Sequence, residues 1–242
     1  MSAPHNQDKE RLVFLPGLLC NERLWKPQLT RFQDQYFCEV PDLTQENSIS
    51  KLALSVLKQI RGKFNLVGLS MGGYVALEIM RIAPERVLRL ALVDTKARAD
   101  DPLQKRRRRG LLALAGKGKF KGVTPHLMPL LIHPDRMGDE VLTNDIYEMA
   151  EEVGQEAFVR QQTAILDRES HLDLLPKIKC PTQVVCGRQD LITPLDCSEE
   201  IHALIPGAEL LVVEDCGHLS NVETPDEVNQ VLASWLDRPA IR

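Results

Sequence analysis

Short apolar runs alternating with stretches of helical periodicity constrain this chain more than any other feature. The runs cover residues 12–15, 36–40, 64–67, 87–93, 182–186 and 209–213. The first stops at Pro16-Gly17 and the second at Pro41-Asp42. Over residues 48–63, Ile49, Leu52, Ala53, Val56, Leu57 and Ile60 fall on one helical face, with Ser48 or Ser50 as the N-cap. Further helices are expected from 71 to about 83, ahead of Pro84, over about 194–204 and over 225–236. Near-continuous apolar strands are covered on both faces, and strands alternating with helices pair in parallel. The expected fold class is therefore α/β, a mainly parallel sheet of about six strands with helices on both faces.

The rhythm stops between 97 and 179. Helical patterns recur at 139–153 and 155–166, but no strand pattern does. This stretch far exceeds the ~10–12 residues a crossover needs. It reads as a helical cap (lid) over the carboxyl ends of the strands, where open α/β sheets bind their ligands. No internal repeat or low-complexity linker divides the chain. The expected organisation is one domain, with a core of 1–96 and 180–242 and an inserted cap of 97–179.

Composition removes several classes. A hydrophobic content of 43% suits an ordinary core. No segment approaches the ~18 apolar residues of a membrane span. Residues 1–10 lack the basic end and apolar region of a secretory signal, so a cytoplasmic location is expected. A net charge of −4 gives no whole-protein argument for nucleic acid. The six cysteines lack paired spacing and read as reduced thiols. Cys180 and Cys186, with a proline between them, make a poor zinc pattern. No metal and no cofactor are expected.

The chemistry points to Ser70. Gly68-Leu69-Ser70-Met71-Gly72 stands between a strand and a helix, the spacing of a nucleophile elbow. A serine hydroxyl needs a histidine base held by a carboxylate, and in this arrangement the chain order is serine, acid, histidine. Asp190 follows the fifth apolar run and His218 the sixth, so both fall on the same rim as Ser70. Asp94, after the fourth run, competes for the role of acid. Ser70 as a helix N-cap, and Asp190 as a cap for the helix near Pro194, are the structural alternatives. Of the remaining histidines, His5 lies in the opening segment, His202 on a helix, and His126, His133 and His171 in the cap. Cys20 and Cys216 lack the setting of an activated thiol and read as packing residues.

Gly-Leu-Ser-Met-Gly-Gly at 68–73, Cys-Gly-Arg-Gln-Asp-Leu-Ile-Thr-Pro at 186–194, Cys-Gly-His at 216–218 and Leu-Pro-Gly-Leu-Leu at 15–19 together resemble the α/β-hydrolase superfamily. Its branch of small capped bacterial carboxylesterases, acting on methyl or carrier-protein esters, is the most similar. The resemblance implies Ser70 as nucleophile, Asp190 as acid, His218 as base, and the backbone N–H groups of Leu18 and Met71 as the oxyanion hole. Many relatives have His-Gly where this chain has Pro16-Gly17; the donor is a backbone group, so the hole survives. The short segment before the first strand leaves no room for the family's N-terminal hairpin, so six strands are expected instead of eight. Trp25, just past the oxyanion loop, would either line the substrate pocket or pack in the core.

The expected activity is hydrolysis of a carboxylic ester or thioester through an acyl-serine. A lyase or acyl transfer on the same residues, or a small-ligand-binding protein on the same scaffold, are the alternatives. From 105 to 121 the chain carries eight Lys or Arg and no Asp or Glu. That run reads either as a solvated helix face and loop, or as a dock for an acidic partner such as an acyl carrier protein or coenzyme A.

Overall fold

All six strands of the computed structural model, β1 (Arg11–Leu15), β2 (Phe37–Glu39), β3 (Phe64–Leu69), β4 (Val87–Val93), β5 (Thr182–Gly187) and β6 (Glu209–Val213), run parallel in the order β2-β1-β3-β4-β5-β6. The structure describes residues 9–240; the opening segment and His5 lie outside them. The second strand is shorter than its apolar run. Among the described residues it is an edge strand paired only with β1, and its residues are half-buried.

The α-helices of the described residues are α1 (Lys26–Phe32), α2 (Ile49–Gln59), α3 (Met71–Ile82), α4 (Pro102–Gly116), α5 (Met128–Leu131), α6 (Glu140–Leu166), α7 (Leu195–Leu204), α8 (Ser220–Glu223) and α9 (Pro225–Leu236). Successive strand residues point to opposite faces, so each strand supplies two cores. Val13, Leu15, Leu66, Leu90, Leu92 and Val184 pack with residues of α2, α3 and α7. Leu12, Phe14, Val67, Leu69, Ala91, Val93 and Val185 pack on the other face with residues of α1 and α9. Burial on both faces accounts for the continuous apolar character of β3 to β5.

Between β4 and β5 the chain forms α4, α5 and α6. The helical patterns at 139–153 and 155–166 meet at Gly154 (φ 75°, ψ 176°), where α6 kinks. Ala115, Ala150 and Phe158 of α4 and α6 pack on Leu19, in the loop after β1. Not all of 97–179 lies over the strand ends. Ala164, Ile165, Leu175 and Ile178 join the core on the α3 side of the sheet. No helix among the described residues is long and apolar enough to cross a membrane.

Candidate active site

Ser70 occupies a strained turn at φ 53°, ψ −113°, between β3 and α3. Its N–H donates to the Val93 carbonyl (3.0 Å), and its carbonyl accepts from the Thr95 hydroxyl (2.8 Å) and the Gly73 N–H (3.0 Å). The flanking glycines are required by space. A Cβ on Gly68 would overlap the Gly72 carbonyl oxygen, and one on Gly72 would overlap that of Leu15. Side chains there would push the helix off the sheet and the serine out of its turn.

Asp190 and His218, from the loops after β5 and β6, meet Ser70 on the carboxyl rim. His218 Nε2 lies 2.9 Å from Ser70 Oγ, and Nδ1 lies 2.8 Å from Asp190 Oδ2. Asp190 is itself held: Oδ1 accepts the N–H groups of Ile192 (2.8 Å) and Thr193 (2.9 Å), and Oδ2 accepts the Thr193 hydroxyl (2.7 Å). The His218 loop is anchored too. Its N–H donates to the Leu131 carbonyl (3.0 Å), and Glu223 accepts the N–H groups of Gly217 (2.9 Å) and Leu219 (3.3 Å).

Burial disfavours charge on His218, but the Asp190 carboxylate beside it prevails and the imidazole titrates above its ordinary range. Burial likewise opposes charge on Asp190, and the imidazole and the Thr193 hydrogen bonds prevail, holding that carboxyl below its ordinary range. Asp94 lies close by but makes no bond to His218. Its Oδ1 accepts from the Gly187 N–H (2.9 Å), and its Oδ2 from the N–H (3.0 Å) and hydroxyl (2.6 Å) of Ser220. Burial and the Asp190 charge push the Asp94 carboxyl up to about 8. Of the two candidate acids, Asp190 is the one against the imidazole.

Asp94, Cys186 and Asp190 bring ligand-type atoms within 4.8 Å of one another. Both carboxylates are already occupied by protein donors, and burial pushes the Cys186 thiol up, away from the thiolate a metal would take. Cys20 and Cys216 are buried free thiols, and burial raises both, Cys20 to about 12. Neither is set up as a nucleophile.

The loop after β1 passes beside the serine: a Cβ on Gly17 would stand 3.6 Å from that of Ser70. Among the described residues, the backbone N–H groups of Leu18 and Met71 donate to no protein acceptor. Leu19 takes a left-handed φ of 60°, and its N–H donates to Gln161 Oε1 of α6 (3.1 Å). Trp25 does not reach the site. It is fully buried on the α9 side of the sheet, packed against Phe14 with ring centroids 5.0 Å apart and planes tilted by 34°, so its substrate-binding assignment gives way to a packing role.

A cavity of about 580 Å³ opens on Ser70 and His218. Its walls are mainly apolar, including Leu18, Leu111, Phe120, Leu131 and Phe158. One stripe of α4, Gln104, Arg107, Arg108, Leu111, Leu114 and Ala115, lines one side. That spacing is a single helical face, a signal present in the sequence but hidden within the basic run. Thr193, three residues after Asp190, was also readable as a turn partner. Gln161 carries no local signal at all.

Comparison with known proteins agrees with this architecture. Residues 12–231 match the family model described as "Alpha/beta hydrolase family". The "Putative carbamate hydrolase RutD" of Shigella flexneri is 26% identical over 258 residues, spanning 98% of this chain and 94% of that relative. A thermophilic esterase from Thermogutta terrifontis, studied with malate bound, superposes with a TM-score of 0.83 at 27% identity, over 94% of this chain and 89% of its own. The enol-lactonase of Burkholderia xenovorans LB400 shares the fold, with a TM-score of 0.84 at 22% identity over 97% and 94% of the two chains.

Proposed function

The chain belongs to the alpha/beta hydrolase family, and on that footing we propose that it is a serine hydrolase cleaving a carboxylic ester or thioester. The observation that carries this reading is the continuous hydrogen-bonded line from Asp190 through His218 to Ser70 Oγ, facing a cavity. Ser70 Oγ attacks the substrate carbonyl carbon as its proton passes to His218 Nε2. The tetrahedral oxyanion is held by the N–H groups of Leu18 and Met71, and Asp190 steadies the imidazolium. Collapse expels the alcohol or thiol, which takes the proton from His218. Water, deprotonated by His218, then attacks the acyl-serine and releases the acid.

The segment 97–179 acts in this reading as a cap, since α4, α5 and α6 supply much of the cavity wall. The size and apolar lining of the cavity favour an acyl chain of several carbons over a carbamate, the group in the name of the Shigella relative. Turnover of p-nitrophenyl esters of graded length tests the proposal. Ser70→Ala should lower kcat/KM roughly ten-thousand- to million-fold with the fold intact. Undiminished turnover in that variant would sink it.

A further inference from the structure

The charged groups in the mainly apolar wall of the cavity beside Ser70 are of one sign. Lys96, Arg107, Arg108, Lys119 and Lys121 face it, and among the described residues no Asp or Glu does. Behind the inner wall lies Asp100, fully buried. Its Oδ1 accepts from Lys96 Nζ (2.8 Å) and Arg168 Nη2 (2.9 Å), and its Oδ2 from Arg108 Nε. Three buried or half-buried cations thus surround a single carboxylate. Positive charge left uncompensated at such a depth is costly unless an anion completes it. Lys96 registers this: burial, with Arg168 adding repulsion, holds its pKa below the ordinary lysine range despite the bond to Asp100.

Unused donors accompany the unused charge. Lys96 Nζ gives two hydrogen bonds, to Asp100 and to Gln104 Oε1 (2.8 Å), leaving a third proton. Arg108 uses Nε on Asp100 and Nη1 on Gln162 (2.8 Å), and its Nη2 has no partner among the described residues. Arg107 makes no ion pair among the described residues. The cluster also adjoins the reactive serine. Lys96 follows Thr95, whose hydroxyl holds the Ser70 carbonyl. Tyr74, one turn along α3 from Ser70, carries the Arg168 guanidinium 4.2 Å from its ring centroid.

We propose that this wall is a subsite for a free carboxylate on the substrate, so that the ester cleaved at Ser70 is a half-ester of a dicarboxylic acid. The two donor atoms left on the inner wall, on Lys96 and Arg108, suit the two oxygens of a carboxylate, and Arg107, Lys119 and Lys121 draw the anion in. The proposal rests on the hydrolase reading and names the substrate class for it. A cluster serving only to tie α4 to the strand ends would give no preference between charged and neutral esters.

The test compares kcat/KM for mono-p-nitrophenyl glutarate and for p-nitrophenyl pentanoate, which replaces the carboxylate by a methyl. The wild-type protein should favour the charged ester by about tenfold or more, and added NaCl should narrow the gap. Arg107→Gln and Lys96→Gln should each cut the ratio by about tenfold. Arg106→Gln, on an exposed position outside the cavity lining, should leave it at the wild-type value. Binding is read separately in Ser70→Ala protein, where glutarate should raise Tm and the added Arg107→Gln change should abolish the rise. Equal turnover of both esters overturns the subsite and leaves the hydrolase reading standing. Absence of turnover for both esters counts against the hydrolase reading, and the glutarate arm then decides the subsite alone. Stronger stabilisation by inorganic phosphate than by glutarate overturns the carboxylate assignment.

Discussion

Gln161 joins the inserted helices to the loop beside the serine: its Oε1 accepts the Leu19 N–H at 3.1 Å, while its Nε2 donates to the Leu43 carbonyl at 3.2 Å. The side chain is fully buried, and Leu19 sits at a left-handed φ of 60° that a leucine rarely adopts. The bond therefore holds a strained residue next to Leu18, whose N–H is a proposed oxyanion donor.

Gln161→Leu should lower kcat roughly tenfold with a smaller change in KM, because the loop loses its anchor and a buried N–H is left unpaired. Gln161→Glu keeps an acceptor for Leu19 and, in its neutral acid form, a donor for the Leu43 carbonyl, and should recover much of kcat. Steady-state kinetics on a neutral ester, with Tm measured alongside, checks this. A Leu variant that loses stability but keeps kcat would assign Gln161 to packing alone.

Gly72→Ala places a methyl against the Leu15 carbonyl, which is backbone of β1 and cannot rotate away. Destabilisation of about 3 kcal/mol is expected, with loss of ester turnover. Gly110→Ala, on α4 with open space around it, should instead be neutral or gain up to about 1 kcal/mol. Urea unfolding of the two variants against wild type gives both values.

Asp190→Asn and Asp94→Asn should part company. The first removes the charge that orients His218 and should cost about ten-thousandfold in kcat. The second sets an amide N–H₂ against donors from Gly187 or Ser220, and should cost stability while leaving kcat within about tenfold. Paired kinetics and unfolding of both proteins settle the assignment.

Activity should rise with pH through the titration of His218, because only the neutral imidazole accepts the Ser70 proton. The Asp190 charge raises this group above 6.5, so the acid limb of kcat/KM should have its midpoint above that value. Removing the Asp190 charge takes away the main charge that opposes burial, with Asp94 and Glu223 remaining, and should lower the midpoint. A wild-type midpoint under 6.5 would contradict the assignment of the base.

The meeting of Ser70, Asp190 and His218 on one rim was legible because each position depends on local chemistry, a glycine-flanked turn or a loop ending a buried strand, and parallel pairing carries all three to the same side. Asp94 met the same local test; the contact of Asp190 Oδ2 with His218 Nδ1 separates the two, while the oxygens of Asp94 are turned to Gly187 and Ser220. Trp25 was ambiguous for a similar reason: position in the chain does not say which face of the sheet a turn delivers it to. Gln161 and Leu19 lie 142 residues apart, and no periodicity encodes such a pairing. The basic run mixed two environments that separate only once α4 is turned, with Arg107 and Arg108 along the cavity and Arg106 and Arg109 outside its lining.

The nucleophile is tested most directly by treating the folded protein with a fluorophosphonate and locating the adduct by peptide mass spectrometry. The expected result is stoichiometric modification of Ser70, absent from Ser70→Ala and strongly slowed in His218→Ala. An unmodified folded protein, or an adduct on another residue with Ser70 untouched, would contradict the assignment of Ser70.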